Sequence, residues 1–407
     1  MGTSLKFGAD CLVELDLAGD SLVATNTEEH PETLADVSAA VRQAFDAPID
    51  FPSLREMVLP DDTVAIAIEP ALACAKQLVA GTVRALMEAA VPPELISIVR
   101  AADDRAISDN KLLSDLDDGV ADRIQVFRHD AKDRESLSFL GASKDDHAIY
   151  VNRVLCDASV VIPITSQRSL NEVDCLGVHN SWFPVFADAE TQDRFAKTLS
   201  ALSARKNEKR RAECEEAAWM LGVQMLVQVI PAGNDAALHV LAGLPDSVWK
   251  KSGQLAKDAW DVRLSRRASL VVAAISGGPD QQTWDNVVRT IDTALDAVEI
   301  DGAIAICSQL RSKPGPALQK LAGAEDYESA ERAIRRKPST DALAASRLNR
   351  ALQHARVYLL SELDEHEVED LGVAWVADSG EIAKLSSRFQ SCLVLRDAQH
   401  VSISIDE

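Results

Sequence analysis

Asp61-Asp62-Thr63-Val64-Ala65-Ile66-Ala67-Ile68-Glu69 and Ile96-Ser97-Ile98-Val99 are two short apolar runs that bracket one amphipathic segment. The runs at 64–68 and 96–99 are rich in β-branched residues, and only Ser97 interrupts their apolar character. That is the pattern of strands buried on both faces, as in a parallel sheet. Between them, 74–89 places Leu78, Val79, Val83, Leu86 and Met87 at helical spacing. Ala90-Val91-Pro92-Pro93-Glu94 then stops the helix. The same strand pattern returns at 124–127 and 158–162. Strands alternating with helices predict an α/β unit with a mostly parallel sheet.

Working outward, a second unit follows the segment Arg205-Lys206-Asn207-Glu208-Lys209-Arg210-Arg211, the most basic stretch in the chain. It reads as a solvated helix face or hinge; an anion site near a domain junction is the sharper alternative. Beyond it, 222–230 and 237–241 read as a strand pair. Further strands are expected at 270–275, 303–307, 357–360 and 392–395, and helices near 245–260, 281–298 and 382–389. Arg335-Arg336-Lys337-Pro338-Ser339-Thr340 marks a turn with a helix N-cap at Ser339 or Thr340. The expected architecture is α/β: two α/β domains, 1–205 and 211–407, each with a mostly parallel sheet, and a cleft between them that takes the ligand.

The chain has 407 residues, 47% hydrophobic and 26% charged, ordinary for a globular protein with a large core. Its formal net charge of −22 argues against nucleic acid and anionic membrane as partners. Seven cysteines stand singly with no CxxC pair, which suits reduced thiols in a cytoplasmic protein. Cys307 and Cys392 lie in apolar runs and read as small buried residues. Met1-Gly2-Thr3-Ser4-Leu5-Lys6 has no signal-peptide core, and no apolar run approaches the roughly 20 residues of a membrane span. Ser276-Gly277-Gly278-Pro279 is not a dinucleotide fingerprint, and no GxxxxGK[ST], HExxH or GxSxG occurs.

The order Ala47-Pro48-Ile49-Asp50-Phe51-Pro52-Ser53-Leu54, the two strands above, Arg128-His129-Asp130 and Val151-Asn152-Arg153 resembles the lactate racemase family. Ser276-Gly277-Gly278-Pro279-Asp280, Trp284-Asp285-Asn286-Val287-Val288-Arg289 and Asp301-Gly302-Ala303-Ile304 are similar to that family's later turns and strands. The resemblance implies an isomerase that inverts a 2-hydroxy acid with a nickel-pincer nucleotide. It implies imidazole bases, an attachment lysine and cationic carboxylate holders.

Each implied position departs from the family's pattern. The first loop, Asp-x-x-Arg-Pro in the family, reads Glu69-Pro70-Ala71-Leu72 here. The second, Gly-Thr-His-Arg, reads Ala102-Asp103-Asp104-Arg105, so Asp104 stands where a histidine is expected and Arg105 survives. The third reads Ile164-Thr165-Ser166-Gln167-Arg168-Ser169-Leu170 and then Leu176-Gly177-Val178-His179-Asn180-Ser181-Trp182-Phe183-Pro184. No lysine occurs between Lys144 and Lys197, so the usual covalent tether is absent, and 188–197 has no histidine. The family's later glutamine and lysine map onto Asn286 and Arg289.

The resulting expectation is a divergent relative that binds or acts on a small 2-hydroxy acid or related anion, without a tethered nickel-pincer cofactor. Asp104 and His179 are the proton-transfer candidates, although a lone histidine beside Gly177 and Trp182 reads equally well as loop packing. Glu69, Arg105, Asn286, Arg289 and Trp182 are the substrate contacts, with Arg105 and Arg289 holding the anion. His129, after a strand, reads as a turn contact. Two alternatives stay open: an active 2-hydroxy-acid racemase with a noncovalently held cofactor, and a catalytically inactive anion-binding or regulatory protein.

Overall fold

The computed structural model describes residues 2–17, 22–26, 32–101, 107–167, 177–199, 204–324, 326–336, 339 and 341–406. Asp104 and Arg105 lie outside the described residues. The chain opens with an antiparallel hairpin, β1 (Gly2–Phe7) and β2 (Cys11–Asp16), and then β3 (Leu22–Thr25). β4 (Val64–Ile68), β5 (Ile96–Ala101) and β6 (Gln125–His129) follow. A second hairpin, β7 (Leu137–Ala142) with β8 (Ala148–Asn152), precedes β9 (Val160–Ser166). Next come β10 (Leu226–Ala232) and β11 (Ala236–Gly243), then β12 (Asp261–Leu264), β13 (Ala268–Ala274) and β14 (Val298–Cys307). β15 (Arg356–Leu360), β16 (Ala374–Val376), β17 (Cys392–Leu395) and β18 (Ser402–Ile405) complete the order.

Two six-stranded sheets carry the fold. The first has the order β11-β10-β9-β4-β5-β6, parallel except for the edge pair β10–β11. The second has the order β16-β15-β14-β13-β17-β3 and is parallel throughout. Sheet membership does not follow the expected division of the chain. β10 and β11, from beyond residue 211, complete the first sheet, and β3, from residue 22 onward, joins the second. Local pattern marks a strand but says nothing about its neighbour, so sheet membership was not legible.

Side-chain alternation explains how each sheet is covered. Val64, Ile66 and Ile68 of β4 point to one face and join Leu78, Val79, Val83 and Leu86 from the helix Ala75–Glu88. Met87, expected on that stripe, is exposed. Ala65 and Ala67 point to the other face, where small side chains leave room for Trp182, Phe183, Phe186 and Phe195. In the second sheet, Leu270, Val272 and Ala274 pack under the β1–β2 hairpin, while Val271 and Ala273 face the helices. Full burial of each large aliphatic side chain is worth roughly 1.5–3 kcal/mol. Cys307 and Cys392 are buried, as their runs imply.

The basic segment is the start of a helix, Ala204–Leu221. Lys209 pairs with Asp145 at 3.1 Å and Arg211 with Glu215 at 2.8 Å. Arg210 is buried and donates to the Phe195 carbonyl at 3.0 Å. These partners favour the helix-face reading over an anion site. The helix Ala342–His354 has Asp341 as its N-cap, not Ser339 or Thr340. The Asp341 carboxylate instead accepts from the Ala317 and Leu318 amides at 2.9 and 3.0 Å, and from the Ser339 hydroxyl at 2.6 Å. It thereby fastens the preceding loop. Among the described residues no helix is long and apolar enough to cross a membrane.

Candidate functional site

In an open parallel sheet, adjacent strands whose connections leave in opposite directions part at their carboxyl ends and open a crevice. The first sheet has such a point between β4 and β9, because the chain moves from β4 out to β6 and returns on the other side as β9. The second has one between β13 and β17 for the same reason. One cavity of about 280 Å³ touches both. Glu69 and Ser166 line it from the first sheet, and Gln281, Asn286, Arg289 and Gln399 from the second.

Two short segments hold the two rims together. The β10–β11 turn reaches across: the Asp235 carboxylate accepts from the Cys74 amide at 2.8 Å, and the Asn234 amide donates to the Ser276 hydroxyl at 3.4 Å. Burial raises the Asp235 carboxyl above the usual aspartate range. Ser276 also hydrogen-bonds the Asp397 carboxylate after β17. Gln281 donates to the Ala71 carbonyl at 3.4 Å.

Glu69 is buried at the end of β4, and its Oε2 accepts from the Ser166 amide at 2.6 Å, tying the two loops of the first crevice. On the opposite wall, the helix Trp284–Ala297 begins at the N-cap Thr283, whose hydroxyl accepts from the Asn286 amide at 3.2 Å. Asn286 Nδ2 donates to the Gln281 carbonyl at 2.8 Å, so its amide shapes the turn as well as the wall. Arg289 follows one helical turn later and is buried on the same wall. Asp285 faces the cavity from the helix's first turn, where the helix dipole favours a carboxylate.

The structure therefore brings Glu69, Asn286 and Arg289 together. His179 and Trp182 sit elsewhere. Gly177, Val178, Asn180 and Ser181 line the cavity, but His179 turns inward. Its Nδ1 accepts from Trp182 Nε1 at 3.2 Å, and burial pulls the imidazole down to about 4, against the raising influence of Asp246 and Glu215. Trp182 is in the aromatic core behind the first sheet; the tryptophan on the wall is Trp249. His129 is also structural: Nε2 pairs with the Ala187 carbonyl at 2.9 Å and Nδ1 with Asn152 at 3.2 Å.

Sequence reasoning missed Gln228, Gln281, Gln399 and His400, all on the wall. The signal for the last two was available. Asp397-Ala398-Gln399-His400 follows a buried parallel strand directly, and such turns build sites. Gln228 belongs to a buried network in which Ser252 Oγ lies 2.6 Å from Gln228 Oε1 and 2.8 Å from Gln167 Oε1. Among the described wall residues, His400 is the only histidine; its ring packs on Trp260 with centroids 5.1 Å apart.

Residues 8–166 match the family model described as the lactate racemase N-terminal domain. The whole structure is similar to the lactate racemase apoprotein from Thermoanaerobacterium thermosaccharolyticum, with a TM-score of 0.78 and 14% identity, over 99% of this chain and 100% of that one. Residues 8–166 are thus similar to the lactate racemase N-terminal domain, and the chain as a whole has the fold of the lactate racemase apoprotein. A protein from Thermotoga maritima, solved as a structural-genomics target, is also similar, with a TM-score of 0.66 and 13% identity, over 93% of this chain and 100% of that one. No protein of curated function matches. At these identities the solved structures establish the fold alone, and the lactate racemase fold leaves the chemistry of the cavity to be argued from its own residues.

Proposed function

We propose that this lactate-racemase-like protein binds a small 2-hydroxy acid or related anion in the cavity between the two sheets, without a covalently tethered nickel-pincer cofactor. The observation that carries the reading is the convergence of Glu69, Asn286 and Arg289 at two switch points on one 280 Å³ cavity. A buried guanidinium with a carboxamide one turn away suits a carboxylate, which takes paired, charge-assisted hydrogen bonds. The volume admits a small organic acid.

The residues present do not fit the family's cofactor. A tether needs a lysine, and neither the described wall nor the sequence from 145 to 196 holds one. The pincer brings three nickel donors of its own, and among the described wall residues the only imidazole is that of His400, whose ring packs on Trp260. No step is therefore routed through the nucleotide. His179, half of the expected proton-transfer pair, is turned away from the cavity and is a weak base at about 4, and Asp104 lies outside the described residues. Binding without racemisation is the reading these features favour.

The test is thermal stabilisation of the full chain by lactate, malate and gluconate. At least one should raise the melting temperature, and Arg289→Met should abolish the shift while leaving the unliganded protein folded. Intact-mass measurement after expression with the family's cofactor-making enzymes should show no adduct. An unaltered shift in Arg289→Met, or an adduct mapped to 145–196, would overturn the reading.

A further inference from the structure

The two sides of the cavity differ in chemistry. The wall residues supplied from the second sheet, Gln281 to Arg289 after β13 and Gln399 with His400 after β17, are all polar. The apolar part of the described wall comes from the first-sheet side. Pro70 and Ala71 follow β4, Val185 lies beyond β9, and Trp249 stands on the helix Pro245–Trp260, which packs on β10 and β11. All four line the cavity and are only half-buried, so they keep surface that a ligand can touch. Trp249 supplies the largest piece. Val178, Leu226 and Val248 back its indole without covering it.

This division decides what suits the end of a ligand opposite its carboxylate. Polar groups on the first-sheet side are engaged within the protein. Glu69 accepts from the Ser166 amide, Ser181 Oγ donates to the Val178 carbonyl at 2.8 Å, and Gln228 Oε1 lies 2.6 Å from Ser252 Oγ. A hydroxylated chain placed there would give up water for groups already paired. A second carboxylate would meet the charge of Glu69. An apolar group has neither cost and gains by leaving water. An aromatic ring gains most, because it buries a large area and stacks on an indole.

We propose that the cavity takes an acid with an aromatic side chain, its ring on Trp249 and its carboxylate at Arg289. The inference rests on the anion-site reading above and adds the class of side chain, with Trp249 as the selecting residue. Calorimetry on the full-length protein with phenyllactate, lactate and malate tests it. Phenyllactate should bind at least about tenfold more tightly than either of the others, the gain expected from burying one aromatic side chain. Trp249→Ala should bring the affinities together by weakening phenyllactate, and Trp249→Phe, which keeps a ring, should retain most of the preference. Should Trp249→Ala fail to fold, a crystal structure of the wild type with phenyllactate decides. A phenyl centroid within about 7 Å of the indole is expected, and a ring placed elsewhere overturns the proposal. Equal affinities in the wild type, or a preference that survives in Trp249→Ala, overturns the aromatic reading and leaves the anion site standing. Undiminished phenyllactate binding in Arg289→Met overturns the carboxylate's placement and the anion-site reading with it. If no acid binds, both fall.

Discussion

His179 illustrates how a side chain's worth depends on where its polar atoms end. Burial holds His179 neutral at about 4, whereas an unfolded histidine titrates near 6.5. The folded value is the lower one, so the unfolded chain takes up the proton first as pH falls. The contribution to stability is complete above about 6.5 and is lost as pH falls towards 4. A shift of this size is worth at most about 3 kcal/mol. In urea melts from pH 7 to pH 4, the wild type should therefore lose up to that much more stability than His179→Gln, which keeps an acceptor for Trp182. Parallel losses in the two proteins would show that His179 does not govern the acid limb. At this scale Glu69, Asn286 and Arg289 were singled out by the family resemblance, and all three line the cavity. Gln399 and His400 also follow a strand, but which wall they build depends on β17 lying beside β13, a pairing of distant segments that no local pattern records.

The elements were more legible than their partners. The VAIAI run of β4 and the CLVL run of β17 are buried along their whole length, so an uninterrupted apolar stretch sufficed to mark them. The hairpins β1–β2 and β7–β8 were not expected, because Phe139 and Tyr150 on the second hairpin are exposed and blur its inside from its outside. The turn after β13 decides the wall of the cavity. Gly277 there has φ +96°, and a Cβ on it would come within 2.8 Å of the Gln281 side chain. Alanine would thus meet both a disfavoured backbone conformation and Gln281, which contacts Asn286 and Ala71. Gly277→Ala should lower the unfolding free energy by about 1–3 kcal/mol and weaken acid binding at the same time. Loss of stability with undiminished binding would show that the turn does not set the wall.

For the whole molecule, the crossed strand membership and the charge both bear on how a ligand reaches its site. Because β10 and β11 complete the first sheet while their turn grips Cys74 and Ser276, the cavity is bounded by segments far apart in sequence and tied across the rims. The charge of the chain opposes the proposed ligand: the formal net value is −22, and an approaching anion is repelled over most of the surface. Arg289 is buried, so its attraction acts at short range and is screened little by salt, whereas the surface field is screened strongly. The Debye length falls from roughly 30 Å at 0.01 M to about 8 Å at 0.15 M salt, which removes most of the repulsion while sparing the contact. The association rate of the tightest-binding acid should therefore rise with sodium chloride over that range, and its dissociation rate should change little. Stopped-flow binding at the two salt concentrations measures both. An association rate that falls with salt would mean that a positive mouth, not the net charge, governs entry, and that Arg289 does not act alone in drawing the anion in.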